Sequence, residues 1–322
     1  MMANGPVFIG GVERSGKTYM RLAISAHPNI FVQQRTGMWP AFYNRYGDLG
    51  QQENFERCLA AMLRSKHIRM LQPDPDRIRR EFWQGAPTYP RLFALFHEHH
   101  LEKLGKPRWG DQTELIEQFA DTIFTAYPAA RMIHMIRDPR DRYEAILRRK
   151  PQARGKAGKA ISRWLYSVKL AGRNLERYPD RYKIIRYEAL VSHPEVTLRQ
   201  VCDFLGEDFV PAMLTLENVP RFQHRKTGEV GRTPLSTEYI GRFREGLSAR
   251  EIAFIQTYTG QKLVEYGYEM MLVDLSISQF LALYLFDWPL NLARIIAWRS
   301  KDGFERNFSR RGSRQPATQL VA

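Results

Sequence analysis

Residues 11–18, Gly-Val-Glu-Arg-Ser-Gly-Lys-Thr, follow the spacing G-x-x-x-x-G-K-[ST]. Glycines at Gly11 and Gly16 let backbone amides turn inward around an anion. Lys17 adds a positive charge, and a helix starting there adds the partial charge of its N-terminus. The pattern predicts a phosphate-binding loop, with a tight strand-to-helix turn as the plainer alternative. A second basic group, Arg137-Asp-Pro-Arg140-Asp141-Arg142, closes an apolar run. Ligands of open parallel sheets bind beyond the carboxyl ends of strands, so Arg137 and Arg140 are placed to grip a second anionic group through their planar forks. The plainer alternative is a proline-started helix flanked by solvated arginines.

The elements that must position these groups follow from apolar periodicity. Pro6–Gly11 reads as a buried strand and Lys17–Ala26 as a helix. Arg108–Asp111 reads as a short strand, Glu114–Tyr127 as a helix, Arg131–Arg137 as a buried strand and Arg140–Lys150 as a helix. A basic loop over Pro151–Lys159 precedes an amphipathic helix, Ala160–Tyr178. A strand at Arg181–Tyr187 and helices at Thr197–Leu205 and Ala249–Tyr266 complete the pattern. Residues 38–104 contain helical patterns, Glu53–Lys66 and Tyr89–Leu104 among them, and no clear strand. Strands alternating with helices predict an α/β fold of the phosphate-loop type: a central parallel sheet flanked by helices on both faces. The expected organisation is one domain over 1–270, with 33–104 as a helical acceptor-site region, followed by apolar helices and a basic tail over 271–322.

The chain has 322 residues and a net charge of +15, which favours anionic partners. Its mean hydropathy of −0.46 excludes a polytopic membrane protein. Between residues 137 and 186 there are 16 basic and 5 acidic residues, so most of the excess surrounds the second basic motif. No nucleic-acid-binding module is recognisable, so charge alone does not predict a nucleic-acid partner. Cys58 and Cys202 form no disulfide framework, no Cys/His cluster has zinc spacing, and the N-terminus lacks a secretory pattern. These features predict a cytoplasmic protein without a metal.

Four segments in order resemble the sulfotransferases that use 3′-phosphoadenosine-5′-phosphosulfate (PAPS). GGVERSGKTYMRLAISAHPNI is similar to their 5′-phosphosulfate loop and ARMIHMIRDPRDRYEAIL to their 3′-phosphate strand and helix. IIRYEALVSHPEVTLRQVCDFLG and GRFREGLSAREI resemble later segments, so the likeness covers roughly residues 5–270. It implies that Arg14, Ser15, Gly16, Lys17 and Thr18 hold the 5′-phosphosulfate, that Arg137 holds the 3′-phosphate, and that Tyr187 lies near the adenine. Three positions depart from the family's pattern. Ala145 replaces a serine that bonds the 3′-phosphate, Gln112 replaces a lysine that stabilises the transferring sulfonate, and Lys17 replaces a threonine. Lys17 and Arg14 are accordingly expected to supply the catalytic cations. Glu114 is the first candidate for the base, and a helix N-terminal acid is its plainer role. Glu13 and Asp111 are weaker candidates. Other members carry a glutamate shortly after A-H-P; here those positions read Gln33-Gln34-Arg35, so the resemblance leaves no base there. His27 is expected to be structural and His134 to be core.

The literal phosphate-loop lysine leaves a kinase acting on ATP-Mg²⁺ as the alternative, with Asp138 placed to organise the ion. The aromatics Trp39, Phe42, Tyr43, Tyr46, Trp83 and Tyr89 could contact an acceptor, such as a saccharide, lipid or small molecule, or form core. At the far end, the apolar stretch Phe280–Trp298 is interrupted by Asp287, Pro289, Asn291 and Arg294, so no membrane span is expected. With Arg306, Arg310, Arg311 and Arg314 beyond it, residues 272–314 could lie on an anionic membrane surface or simply dock on the domain.

Overall fold

The computed structural model describes residues 5–216 and 236–311, with side chains as far as residue 300. Five strands form one wholly parallel sheet: β1 (Val7–Gly10), β2 (Ile30–Gln34), β3 (Arg108–Gln112), β4 (Arg131–Ile136) and β5 (Tyr182–Arg186), in the order β2-β3-β1-β4-β5. Four of the five were expected. β2 (IFVQQ) was not, because its polar end and edge position weaken the apolar signal of a buried parallel strand.

Alternation along the strands divides the core. Val7 and Ile9 face the helices Lys17–Ala26 and Pro194–Leu205 through Met20, Ala23, Leu198 and Val201. Phe8 points to the opposite face, against Trp109 and Tyr127 at ring-centroid distances of 5.7 and 6.1 Å. On that side Val12 and Ile136 also meet Trp164 and Val168 of the helix Ala157–Arg177. The sheet is thus covered on both faces, as a parallel sheet requires.

Residues 5–34 and 106–296 form one compact unit; residues 35–105 and 297–311 form another. The 35–105 segment is helical, with Gln52–Arg64, Pro75–Phe82 and Tyr89–Leu104 as its main helices. Asp74 caps the second by accepting from the amides of Asp76 and Arg77. Most of its aromatics are core: Trp39 sits edge-on to Phe93 and stacks obliquely on Tyr43, and Phe55 stacks on Phe82 at 4.3 Å. Trp83 is exposed.

Two local differences from the sequence expectation bear on the site. Glu114–Tyr127 is not one helix: Leu115 adopts a left-handed conformation, φ +58°, before a short 3-10 turn at Ile116–Phe119 and a helix at Ala120–Ala126. Glu114 is therefore not a helix N-terminal acid. At the other end, Ile277–Ser300 is a continuous helical stretch with a π turn at Leu283–Asp287, and an 18-residue window of it has a mean hydropathy of 1.3. It is long and apolar enough to cross a bilayer by length and composition, which corrects the expectation that its polar residues break it.

Candidate nucleotide site

The glycine loop leaves β1 at Gly10 and enters the helix at Lys17. Gly11 has φ +111° and Gly16 φ +93°, both in the region that favours glycine. A Cβ on Gly11 would lie 2.3 Å from the carbonyl oxygen of Met135, and one on Gly16 would lie 2.6 Å from Cδ2 of Tyr187. Arg14 is also left-handed, φ +68°. Gly16 offers no side chain to cap the helix, which leaves its N-terminal amides for an anion. Lys17 turns inward: Nζ donates to the carbonyls of Gly11 (2.5 Å) and Val12 (2.6 Å). Burial lowers its pKa to about 8 against the opposing pull of Glu114 and Glu117. It is still mostly a cation at neutral pH, held against the loop's own backbone.

Beneath the loop lies a fully buried polar cluster that sequence patterns do not reveal. Glu117 accepts from the Gly11 amide (2.9 Å) and from Ser167 Oγ (2.7 Å). His134 bonds Ser167 Oγ through Nε2 (2.9 Å) and Tyr182 OH through Nδ1. Burial holds the His134 pKa below its ordinary value, so the ring is neutral at neutral pH. Asn174 Nδ2 donates to the Glu117 carbonyl (2.8 Å). Arg142 is buried nearby and donates to the carbonyls of Glu13 (2.7 Å) and Ala160 (2.9 Å), with its pKa lowered by burial to about 10.

Arg137 follows β4. Trp164 Nε1 donates to its carbonyl (2.9 Å), Nη2 donates to the Tyr239 carbonyl (2.7 Å), and the guanidinium lies 4.4 Å from the centre of the Tyr187 ring. Tyr187 therefore touches both halves of the site, Gly16 on one side and Arg137 on the other. Arg137 Nε and Ser15 Oγ are buried with no hydrogen-bond partner among the described residues. Two such orphans, one in each half, fit an anionic ligand with two charged ends. Asp141 accepts from the amides of Gly241 (2.7 Å) and Phe243 (2.9 Å) and so fixes the segment that carries Tyr239.

Arg140 does not join Arg137. Asp138 caps the helix Pro139–Leu147 and accepts from Arg140 Nη2 (2.7 Å), while Arg140 Nη1 donates to Gln256 Oε1 (2.6 Å) and Nη2 to the Glu269 carbonyl (2.8 Å). Arg140 is thus a buried structural cation rather than an anion-binding one. The two arginines separate in their expected mutants. Arg140→Ala strands a buried carboxylate and is expected to cost about 3–5 kcal/mol of stability. Arg137→Ala gives up only the bond to the Tyr239 carbonyl and the contact with Tyr187, so it is expected to cost less, about 1 kcal/mol, and to weaken binding of 3′-phosphoadenosine-5′-phosphate (PAP) about 10- to 150-fold, the worth of a charge-assisted hydrogen bond.

Glu114 Oε1 accepts from the Glu13 amide (3.0 Å) and from Arg163 Nη2 (2.6 Å). Burial pushes its pKa up, but Lys17, Arg163 and that amide outweigh burial, so the net shift is downward. It is ionised at neutral pH. Gln112 is buried at the end of β3, level with Ile9 and Gln34. Asp111 is buried on the same strand and accepts from Thr113 Oγ1 (3.2 Å). His27 bonds the Asp208 carbonyl (2.9 Å) and accepts from the Asn29 amide (3.2 Å), a structural role as expected. Ala145 is buried, and Cys58 and Cys202 are free buried thiols.

The sequence profile described as the Sulfotransferase family matches residues 6–211. The chain is 25% identical to a protein-tyrosine sulfotransferase of Drosophila melanogaster over 65% of this chain and 39% of that protein. It is 24% identical to protein-tyrosine sulfotransferase A of Caenorhabditis elegans over 67% of this chain and 56% of that protein. The chain thus spans about half the length of these two relatives or less. Its fold is similar to the sulfotransferase domain of the curacin biosynthetic pathway (TM-score 0.56, 16% identity, covering 84% of this chain and all of that one). It is also similar to the sulfotransferase domain of the Synechococcus PCC 7002 olefin synthase (TM-score 0.51, 20% identity, covering 83% and 97%).

Proposed function

Because the chain belongs to the sulfotransferase family, we propose that it transfers a sulfonate group from PAPS to a hydroxyl of a carbohydrate, lipid or small-molecule acceptor. The observation that carries the donor assignment is the paired site: a glycine loop joined through Tyr187 to a second cation, Arg137, each half holding a buried unsatisfied polar atom. When bound, PAPS supplies the electrophilic sulfonate and the phosphate leaving group. Loop residues Arg14, Ser15, Gly16, Lys17 and Thr18 are assigned to the 5′-phosphosulfate and Arg137 to the 3′-phosphate, with Tyr187 packing beside both. Lys17 and Arg14 are assigned the negative charge that grows on the leaving and nonreacting oxygens.

Glu114 is assigned the acceptor's proton. Its ion pair with Arg163 keeps it charged but makes it a weak base, so the cations carry most of the rate enhancement. Glu114→Gln is expected to lower kcat about 10²-fold, the low end for a general base, and leave PAP affinity within about twofold. An equal loss of PAP affinity reassigns Glu114 to holding the Glu13 amide.

The kinase alternative loses its magnesium ligand, because Asp138 is already bound by Arg140. Thermal shift distinguishes the two: stabilisation by PAP supports the sulfonucleotide, whereas stabilisation by ATP-Mg²⁺ alone supports the kinase. The acceptor class is tested with labelled PAPS and lipid, saccharide and small-molecule fractions of a cell extract, with a tyrosine peptide alongside because the curated relatives are named for protein tyrosine. The two free thiols support a reducing, cytoplasmic setting.

A further inference from the structure

Exposed apolar surface among the described residues is concentrated in the stretch Ile277–Ile296. Ile277, Phe280, Leu281, Leu285, Phe286 and Ile296 are each between 50% and 82% exposed. Large side chains at such exposure in one short stretch mark an interaction surface rather than ordinary scatter.

The same stretch is docked by a narrow stripe. Leu283 and Ile295 are buried with Tyr143, Ile161 and Phe254. Asp287 pairs with Arg250 at 3.4 Å, and Asn291 Oδ1 accepts from the Gly158 amide at 2.8 Å. The contact at Gly158 is close enough that a Cβ there would meet the Asn291 carbonyl oxygen at 2.4 Å. A helix tied along its length to a polar domain cannot stand across a bilayer, since its partners would have to enter the hydrocarbon with it. It can lie along the interface.

A basic loop adjoins the helix. Arg294 Nη1 donates to the Gly155 carbonyl at 2.7 Å, so both Gly155 and Gly158 are tied to this helix. Residues 148–159 carry six basic and no acidic residues, all six exposed. Arg149, Lys156 and Lys159 have no acidic partner among the described residues. Beyond residue 296 the sequence adds six basic residues against two acidic ones. Lys150 lies 3.7 Å from Glu13, so the basic surface runs to the rim of the glycine loop.

We propose that this face docks on an anionic lipid bilayer. The helix lies in the membrane plane with its exposed apolar side chains at the acyl boundary, and the 148–159 loop rests on the headgroups. Charge decides against a second copy of the chain as the occupant: a symmetric dimer through this face would bring two basic loops together.

The test uses the full chain and vesicles of phosphatidylcholine with or without phosphatidylglycerol. Wild type is expected to co-sediment with the anionic vesicles and to be released by salt. Leu285→Glu with Phe286→Glu is expected to weaken binding tenfold or more. Arg149→Glu with Lys156→Glu and Lys159→Glu is expected to weaken it about 100-fold, at about 1 kcal/mol per basic residue. Both variants alter exposed side chains, so melting temperature and PAP-induced stabilisation are expected to be retained; this keeps the result separate from the donor-site assignment. Failure of wild type to bind, equal binding to neutral vesicles, or binding that survives both variants overturns the proposal. A dimer in analytical ultracentrifugation that the apolar variant dissolves, without vesicle binding, assigns the face to a second copy.

Discussion

Gly11→Ala is expected to abolish PAP binding, with an affinity loss of at least 100-fold by calorimetric titration. A methyl group at this position meets the Met135 carbonyl at 2.3 Å, and that carbonyl belongs to β4, the neighbouring strand of the sheet. The loop must therefore move rather than the strand. A non-glycine residue at φ +111° adds a further ~1–3 kcal/mol of backbone strain. Moving the loop misaligns the amides that would face the anion and breaks the bond from the Gly11 amide to Glu117. Gly172→Ala is the control: it sits in the helix Ala157–Arg177 with nothing within 4 Å of the added carbon. Alanine there is expected to leave binding intact and raise stability by up to about 1 kcal/mol. Comparable PAP affinities for the two variants would show that the loop's shape is not what binds.

The second large effect is at Lys17. Lys17→Ala is expected to lower kcat about 10²- to 10³-fold, the range for removing one preorganised donor from a charge-developing site. The idea that Lys17 compensates for Gln112 is defeated by unchanged turnover. Gln112→Lys in the Lys17→Ala background is expected to restore part of the loss. The pH dependence has a definite sign. The folded protein holds the Lys17 proton less tightly than the unfolded chain, since burial lowers the pKa from 10.5 to about 8. Below about pH 8 the buried cation therefore costs about 3 kcal/mol of stability, and that cost is relieved as pH rises from about 8 to 10.5. Activity runs the other way: kcat/KM, which reports the free enzyme, is expected to fall about tenfold per pH unit above about 8. The Lys17→Ala variant is expected to lack that limb of the profile.

Much of this site was legible because its residues are punctuation as well as chemistry. Gly11 and Gly16 mark a turn that only glycine accepts, and Arg137 marks the end of an apolar strand. What stayed hidden depends on which partner each side chain finds. Arg137 and Arg140 look equivalent, three residues apart in a basic motif. Asp138, as the helix cap, captures one and leaves the other facing Tyr187. Glu117 looks like a polar residue on an amphipathic helix, yet the left-handed Leu115 breaks that helix and turns the carboxylate under the loop. The expectation for His134 as core was right about burial but carried no hint of Ser167 and Tyr182, which come from 33 and 48 residues away.

The C-terminal helix teaches the same point from the other side. Asp287, Asn291 and Arg294 look like interruptions of an apolar run. Each instead has a partner on the domain: Arg250, the Gly158 amide and the Gly155 carbonyl. Pro289 closely follows the π turn at Leu283–Asp287, so that irregular turn, rather than a helix end, accommodates its ring within the continuous helix. Local composition reports which residues are polar; only the tertiary fold reports whether that polarity faces water.

The bond from Gly11 to the buried Glu117 has a consequence for hydrogen exchange. Glu117 is tied to Ser167, Ser167 to His134, and His134 to Tyr182, so the acceptor of this loop amide is anchored to β4, β5 and a long helix at once. The Gly11 amide is therefore expected to exchange only when the sheet itself unfolds, at the slowest rate measured in the chain. A glycine loop with that behaviour acquires its shape during folding, and an anion bound there would require little further ordering of the loop.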